Sequence, residues 1–309
     1  MDAIEVAVLI PCYNEEIALP KVIRAFRAAL PNAAIYVFDN NSIDLTVHVA
    51  TQEGAIVRSV PLQGKGNVVR RMFADIEADI YVLVDGDDTY DAGSVREMVE
   101  RLNDDLLDMV VGCRISNDIA AYRSGHRLGN WLLTELMARL FGRVFTDILS
   151  GYRVFSRRFV KSFPALATGF EIESELTIHA LELRMPIADV DTHYKSRPQG
   201  SISKLNTYRD GIRILWTILK LFRQERPIVF FGVLAVALGL VSFTLAVPLF
   251  VTYAESGLVP RFPTAILSTG LMLLAFLAFA CGMILDTVTR GRHEMKRLIY
   301  LSIPRRRKA

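Results

Sequence analysis

Apolar residues fall into three kinds of run along this chain, and each kind predicts a different element. Short runs rich in β-branched and aromatic residues, "VAVLIPC", "AIYVFD", "AIVRSV" and "DIYVLV", have the length and composition of strands covered on both faces. Between them, "ALPKVIRAFRAAL", "IDLTVHVATQEG" and "NVVRRMFADIEA" carry apolar residues at the 3.6-residue spacing of helices, the second stopped by Gly54. Strand and helix in alternation over short linkers predict an α/β fold with a mainly parallel sheet and helices on both faces. Further on, "SGYRVFSRRFVKSF" and "PIADVDTHYKSRPQGSISKL" read as more strands around a helix at "FEIESELTIHALEL".

The third kind of run is longer. Residues 227–254 and 262–285 contain no charged side chain, and each exceeds the roughly 20 residues that a helix needs to cross about 30 Å of hydrocarbon. They predict two membrane spans, 228–253 and 264–286. Just before them, "YRDGIRILWTILKLFRQE" sets Arg209, Arg213, Thr217, Lys220 and Gln224 in a narrow polar stripe on an apolar helix. A core-packing helix and a helix lying in the membrane interface both fit that stripe, and the adjoining span favours the second.

Charge then orients the spans. Residues 207–226 carry Arg209, Arg213, Lys220, Arg223 and Arg226, the tail after the second span carries eight Lys or Arg, and the ten residues between the spans carry only Arg261. By the positive-inside rule both termini are expected on the cytoplasmic side of the inner, cytoplasmic membrane, with the spans as a hairpin. The opening "MDAIEVAVLIP" has acids where a signal peptide has its positive region, so the spans are expected to stay in the mature chain. The predicted organisation is a cytoplasmic α/β domain over 1–206, an interfacial helix over 207–226, two spans within 227–288 and a basic cytoplasmic tail over 289–309.

Composition excludes several classes. Cys12, Cys113 and Cys281 are odd in number, with no CxxC, against a disulfide framework or a zinc site. The net charge of +3 comes largely from the membrane-flanking segments and suits anionic headgroups, worth about 1 kcal/mol per basic residue near the surface. No basic stripe with interleaved aromatics argues for nucleic acid.

Ligands of parallel α/β sheets bind beyond the carboxyl ends of the strands. Here three strands end in polar clusters, "PCYNE", "DNNS" and "DGDDT", expected to converge at one crevice. Acids at one strand end are commonly solvated turn residues. Asp85 and Asp87 flank Gly86, however, which lets both carboxylates face one point, and such hard oxygen ligands suit Mg²⁺ or Mn²⁺. A divalent cation beside a basic residue is what a diphosphate leaving group requires. Lys65 in "LQGKGN" offers that basic residue between two glycines. A dinucleotide fingerprint and a Walker A loop both fail on spacing.

In this order, "IPCYNEE", "DNNSIDLT", "GKGN", "DGDDT", "GCR", "SGYRVF" and "SRPQGSISKL", followed by two spans, resemble the family 2 glycosyltransferases of GT-A fold. Within them the chain is most similar to polyprenol-phosphate glycosyltransferases, such as dolichol-phosphate mannose synthase and bacterial undecaprenyl-phosphate enzymes. The resemblance implies a GT-A nucleotide-diphospho-sugar transferase domain that moves one sugar from a UDP- or GDP-sugar to a polyprenyl phosphate on the cytoplasmic face, with inversion. The lipid-linked sugar would serve envelope glycans, and a homo-oligomer is compatible with it.

The resemblance also assigns residues. Pro11, Tyr13, Glu15 and Asp39 match positions that hold the nucleotide, Lys65 the basic residue of the "GKG" element, and Arg114 the basic residue near the sugar and diphosphate. Asp85 and Asp87 match the metal-binding Asp-x-Asp, with Thr89 where several relatives carry a further ligand and Asn40 where many carry a second Asp. Arg127, Arg153, Arg197, Ser203 and Lys204 are the candidates for the acceptor phosphate, the last three in "RPQGSISK". Asp147 matches the carboxylate usually taken as catalytic base. A phosphate monoester is already largely dianionic at neutral pH, its second pKa being about 6, so orientation of the acceptor is the other reading. Glu171 and Glu175, four apart on one helical face, line the sugar pocket or serve the helix dipole. Two rivals stand beside transfer to a lipid phosphate. One is a processive polysaccharide synthase, whose "QxxRW" element and extra spans are missing here. The other is a catalytically silent membrane scaffold, against which intact Asp85, Asp87, Lys65, Arg197 and Lys204 argue.

Overall fold

The computed structural model describes residues 4–115, 147–169, 171–197, 216, 219–220 and 222–305. The chain forms two compact units, one of residues 1–212 with 296–309 and one of residues 213–295. In the first, strands β1 (Val6–Cys12), β2 (Ala34–Asp39), β3 (Ile56–Ser59), β4 (Ile80–Leu83), β5 (Met109–Ile115), β6 (Arg153–Ser156) and β7 (Ile187–His193) form one sheet in the order β3-β2-β1-β4-β6-β5-β7. Helices α1 (Leu19–Ala29), α2 (Thr46–Gln52), α3 (Lys65–Asp75), α4 (Val95–Asp104), α5 (Arg157–Ser162) and α6 (Ile172–Glu182) complete it.

The unbroken apolar runs are central strands because both faces of the sheet are covered. Alternate residues of β1 enter separate cores: Ala7 and Leu9 pack with Val69, Met72, Phe73, Phe159 and Leu176, and Val8 and Ile10 pack with Leu19, Ile23, Phe26, Val95 and Met98. Burying each such large apolar side chain contributes about 1.5–3 kcal/mol. β1 runs parallel to β2 and β4, with Cys12 opposite Asp39 and Leu9 opposite Leu83, so three strands end at one edge. The expected mainly parallel sheet is present, with one strand reversed. β6 is antiparallel to both β4 and β5. It starts at the edge where those strands finish and therefore runs back between them.

The basic stretch after the second apolar run, expected as a tail, is in part folded onto the sheet unit. Lys296 pairs with Glu182 at 2.6 Å, and Arg305 donates to the Leu107 carbonyl at 2.7 Å. The Tyr300 hydroxyl donates to Asp108 at 2.6 Å. Asp108 has no exposed surface and also accepts from Ser156 at 2.7 Å, while Arg158 lies over the Tyr300 ring.

The second unit holds α7 (Pro227–Ser256) and most of α8 (Phe262–Ser302), both long and apolar enough to cross a membrane. Proline opens α7 and Gly257, at φ 70°, closes it, as helix-end chemistry requires. The buried Ser242 hydroxyl donates to the Ser268 carbonyl at 2.6 Å, which ties α7 to α8. Of the expected interfacial helix, Trp216, Leu219, Lys220 and residues 222–225 are helical; the rest of 207–226, apart from Arg226, lies outside the described residues.

Two outcomes follow for stability. Tyr300→Phe leaves a buried carboxylate one donor short, at a cost of about 1–3 kcal/mol, so thermal scans in detergent should show a lower midpoint; an unchanged midpoint would mean the Tyr300 contact contributes nothing. The second concerns His179, buried between Phe159 and Phe163. Burial, with Lys296 nearby, pushes it down from 6.5 to about 3. The unfolded chain therefore takes up a proton that the folded chain refuses between those values. Stability should fall on acidification below pH 6.5 by up to about 1.4 kcal/mol per pH unit from this group. His179→Gln should flatten that dependence in denaturant titrations at pH 7 and pH 5.

Candidate active site

Three strand ends are turned sharply by residues that tolerate left-handed backbone: Asn14 after β1 at φ 52°, Asn41 after β2 at φ 64° and Asp88 after β4 at φ 57°. The loops are then knitted side by side. The Asn14 amide donates to Ser42 Oγ at 2.9 Å, the Ile43 amide to Asn14 at 2.8 Å, and the Glu15 amide to Thr46 Oγ1 at 2.8 Å. Asp39, 5% exposed, accepts from the Ser42 amide. Asn40 donates to the carbonyls of Val60 and Leu62 and accepts from the Gly64 amide at 2.7 Å. Its amide thus holds the loop that carries Lys65, a role that a second Asp could not fill because a carboxylate has no N–H to give.

Two charge clusters occupy this edge. Lys65, the first residue of α3, lies 2.6 Å from Asp85 and 2.5 Å from Glu173. Burial opposes the ammonium charge, and the two carboxylates outweigh burial and hold Lys65 above its ordinary value. Gly151 permits the approach: a Cβ there would meet Asp85 at 2.5 Å and Lys65 at 3.0 Å. In the other cluster Asp87, 5% exposed, lies 2.5 Å from Arg197, whose other nitrogen is 3.7 Å from Glu15. Burial first, then the Asp85 charge, pushes Asp87 up, against Arg197. Gly86 between the two acids is fixed by packing, since a Cβ would sit 2.8 Å from Cys12 Sγ.

A third pair completes the edge. Arg114 at the end of β5 grips Asp147 with both arms, Nε to Oδ2 at 2.6 Å and Nη2 to Oδ1 at 2.8 Å, and lies over the Tyr194 ring. Burial opposes the Arg114 charge, but Tyr90, Asp147 and Tyr194 raise it further.

Of the four acids after β4, Asp85 and Asp87 enter the two charge clusters, one in each. Asp88 pairs with Lys21 at the surface, and Asp91 accepts from Ser94 in the next turn. Asp85 and Asp87 are the hard oxygen pair that fits Mg²⁺ or Mn²⁺. Thr89 is 2% exposed, and its hydroxyl donates to Asp87 Oδ1 at 2.6 Å, which holds that carboxylate in place. Pro11 and exposed Tyr13 stand at the end of β1, beside the Asp39 end of β2. Arg153 has no exposed surface; its guanidinium donates to the carbonyls of Ser150 and Ile148 and to Thr177. A group so enclosed cannot reach a lipid phosphate, and it belongs to the core. Arg127, Ser203 and Lys204 lie outside the described residues.

Glu171 and Glu175 accept backbone N–H groups of the preceding loop, from Thr168 and Gly169 and from Leu166 and Ala167 respectively. The acid between them, Glu173, faces Lys65 instead. Its signal was positional: it shares the buried stripe of Ile172, Leu176, Thr177 and Ala180, and an acid inside such a stripe needs a cation.

The chain is similar to known proteins. The model described as "Glycosyl transferase family 2" covers residues 7–163. The chain is 32% identical over 250 residues to glycosyltransferase AglJ of Haloferax volcanii, covering 80% of this chain and 81% of that protein. It is 28% identical to the dolichyl-phosphate hexose transferase of the same organism, over 72% of this chain and 96% of that one. Among solved structures, glucosyl-3-phosphoglycerate synthase from Mycobacterium tuberculosis, in complex with Mn²⁺, UDP and glucosyl-3-phosphoglycerate, superposes with a TM-score of 0.56 at 25% identity, covering 70% of this chain and 80% of that one. With its mostly parallel sheet and its carboxylates and cations gathered at one strand edge, the chain belongs to glycosyl transferase family 2.

Proposed function

We propose that this chain transfers a single hexose from a nucleotide-diphosphate sugar to a polyprenyl phosphate at the cytoplasmic face of the membrane. One observation carries the reading: a paired Asp85 and Asp87, each matched by a cation, in the same chain as two helices apolar enough to cross a membrane. The dolichyl-phosphate hexose transferase relative supports the lipid acceptor. The Mn²⁺ and UDP bound by glucosyl-3-phosphoglycerate synthase support the donor and the metal.

In this reading Pro11, Tyr13, Glu15 and Asp39 receive the nucleoside, and Lys65 and Arg114 donate to diphosphate oxygens. The N-terminus of α3, where Lys65 sits, adds its own preference for anions. Asp85 and Asp87 would hold Mg²⁺ or Mn²⁺, which offsets charge gathering on the departing diphosphate. The acceptor is held by Arg197 with Ser203, Lys204 and Arg127. Arg197 Nη1 is buried and has no hydrogen-bond partner among the described residues. An acceptor oxygen attacks the anomeric carbon from the side opposite the diphosphate, whose bond to that carbon breaks with both electrons leaving on the nucleotide. The result is inversion.

The acceptor needs no strong base, because its phosphate is already largely dianionic at neutral pH, with a second pKa of about 6. Both oxygens of Asp147 accept from Arg114. Asp147 therefore acts by aiming Arg114 and does not take a proton.

Two measurements test this. Wild-type protein in detergent, given radiolabelled UDP- and GDP-sugars, undecaprenyl phosphate and Mg²⁺ or Mn²⁺, should yield a chloroform-soluble product that EDTA or Asp87→Ala reduces by at least about 100-fold. No product from any donor overturns the reading in favour of a silent scaffold. Asp147→Asn should lower kcat by about 10-fold, leave the acidic limb of the pH profile in place, and show little added loss on top of Arg114→Lys. Disappearance of that limb would make Asp147 the base, whose removal typically costs about 100- to 10,000-fold in rate.

A further inference from the structure

Glu173 is 5% exposed, and among the described residues it is the one acid of the "EIESE" run not engaged by the loop that precedes α6. One of its oxygens, Oε1, is 2.5 Å from Lys65 Nζ. The other, Oε2, is buried and has no hydrogen-bond partner among the described residues. A buried carboxylate oxygen without a donor is costly.

The surroundings hold Glu173 rigidly. Its loop is fastened by Glu171 and Glu175 below and by Arg70, which donates to the Ala165 carbonyl at 2.8 Å. That loop rests directly on the Lys65 turn: a Cβ on Gly64 would meet the Thr168 carbonyl oxygen at 2.1 Å, and one on Gly66 the Ala167 carbonyl oxygen at 2.3 Å. Asp85, Lys65 and Glu173 thus form a row with Lys65 between the two acids. In the transferase reading, a donor whose diphosphate meets Lys65 brings its sugar close to this row.

We infer that Glu173 is a donor-sugar-binding residue, with Oε1 setting Lys65 for the diphosphate and Oε2 accepting a hydrogen bond from one hydroxyl of the hexose. This deepens the transferase reading and rests on it. A hydroxyl is the group that suits the site, because a carboxylate oxygen accepts and the position opposite it must donate. A site built to hydrogen-bond a hydroxyl discriminates sharply against the analogue lacking it.

The test is calorimetric binding of the nucleotide sugar that the wild type uses, of its single-deoxy analogues and of the bare nucleotide, without acceptor so that nothing turns over. In the wild type one deoxy analogue should bind at least about 10-fold more weakly than the parent, the size of one hydrogen bond to a charged group. Glu173→Gln should abolish that one preference while the other deoxy analogues keep theirs, and should change affinity for the bare nucleotide by less. Should Glu173→Gln not fold, Glu173→Asp, which keeps the charge opposite Lys65 and withdraws the second oxygen, carries the same comparison. Equal discrimination in wild type and variant, or none in the wild type, overturns the inference and leaves Glu173 as a counter-ion for Lys65. Wild-type protein that binds no nucleotide sugar at all would instead strike at the transferase reading itself.

Discussion

Two carboxylates two residues apart follow one buried strand, and the need to match each with a cation organises this edge of the sheet. The chain answers with one cation for each acid, Lys65 for Asp85 and Arg197 for Asp87. Neither cation is a sequence neighbour of its partner. Each must be delivered by its own element, Lys65 by the start of α3 and Arg197 by the segment following β7. Much of the loop structure at this edge exists to make those deliveries reproducible.

Seen this way, several small residues have a common reason. Gly86 and Gly151 are present because other side chains lie where a Cβ would be. Asn40 is present because one side chain must both donate and accept to hold the β3–α3 turn against β2. Arg153 in the core plays the same part for the 148–150 turn that leads into β6. These groups touch no substrate in the proposed reaction, yet each sets the position of one that does.

Charge matching also separates binding from proton transfer. Asp147 and Arg114 form a two-point grip, which suits a rigid arm for anions better than a base that must let go of its partner. In the proposed reaction the departing diphosphate and the attacking phosphate are both anions, and the cations of this edge would be shared between them.

The strand and helix order, the two apolar segments, the polar strand ends and the Asp85–Asp87 pair were legible in the sequence, because periodicity and composition are local properties of the chain. The family resemblance was legible for the same reason: its motifs are short and ordered. What tertiary structure alone decided is which of the charged residues face each other. Arg153 reads as a free cation until the core closes over it, and the Thr89 hydroxyl's bond to Asp87 is seen only in the fold. Glu171 and Glu175 share a helical face and invite a joint role, but the loop before them takes both, and Glu173, turned the other way, meets Lys65 from more than a hundred residues away in sequence. Burial and long-range pairing depend on how the chain folds back on itself, and no local pattern encodes them.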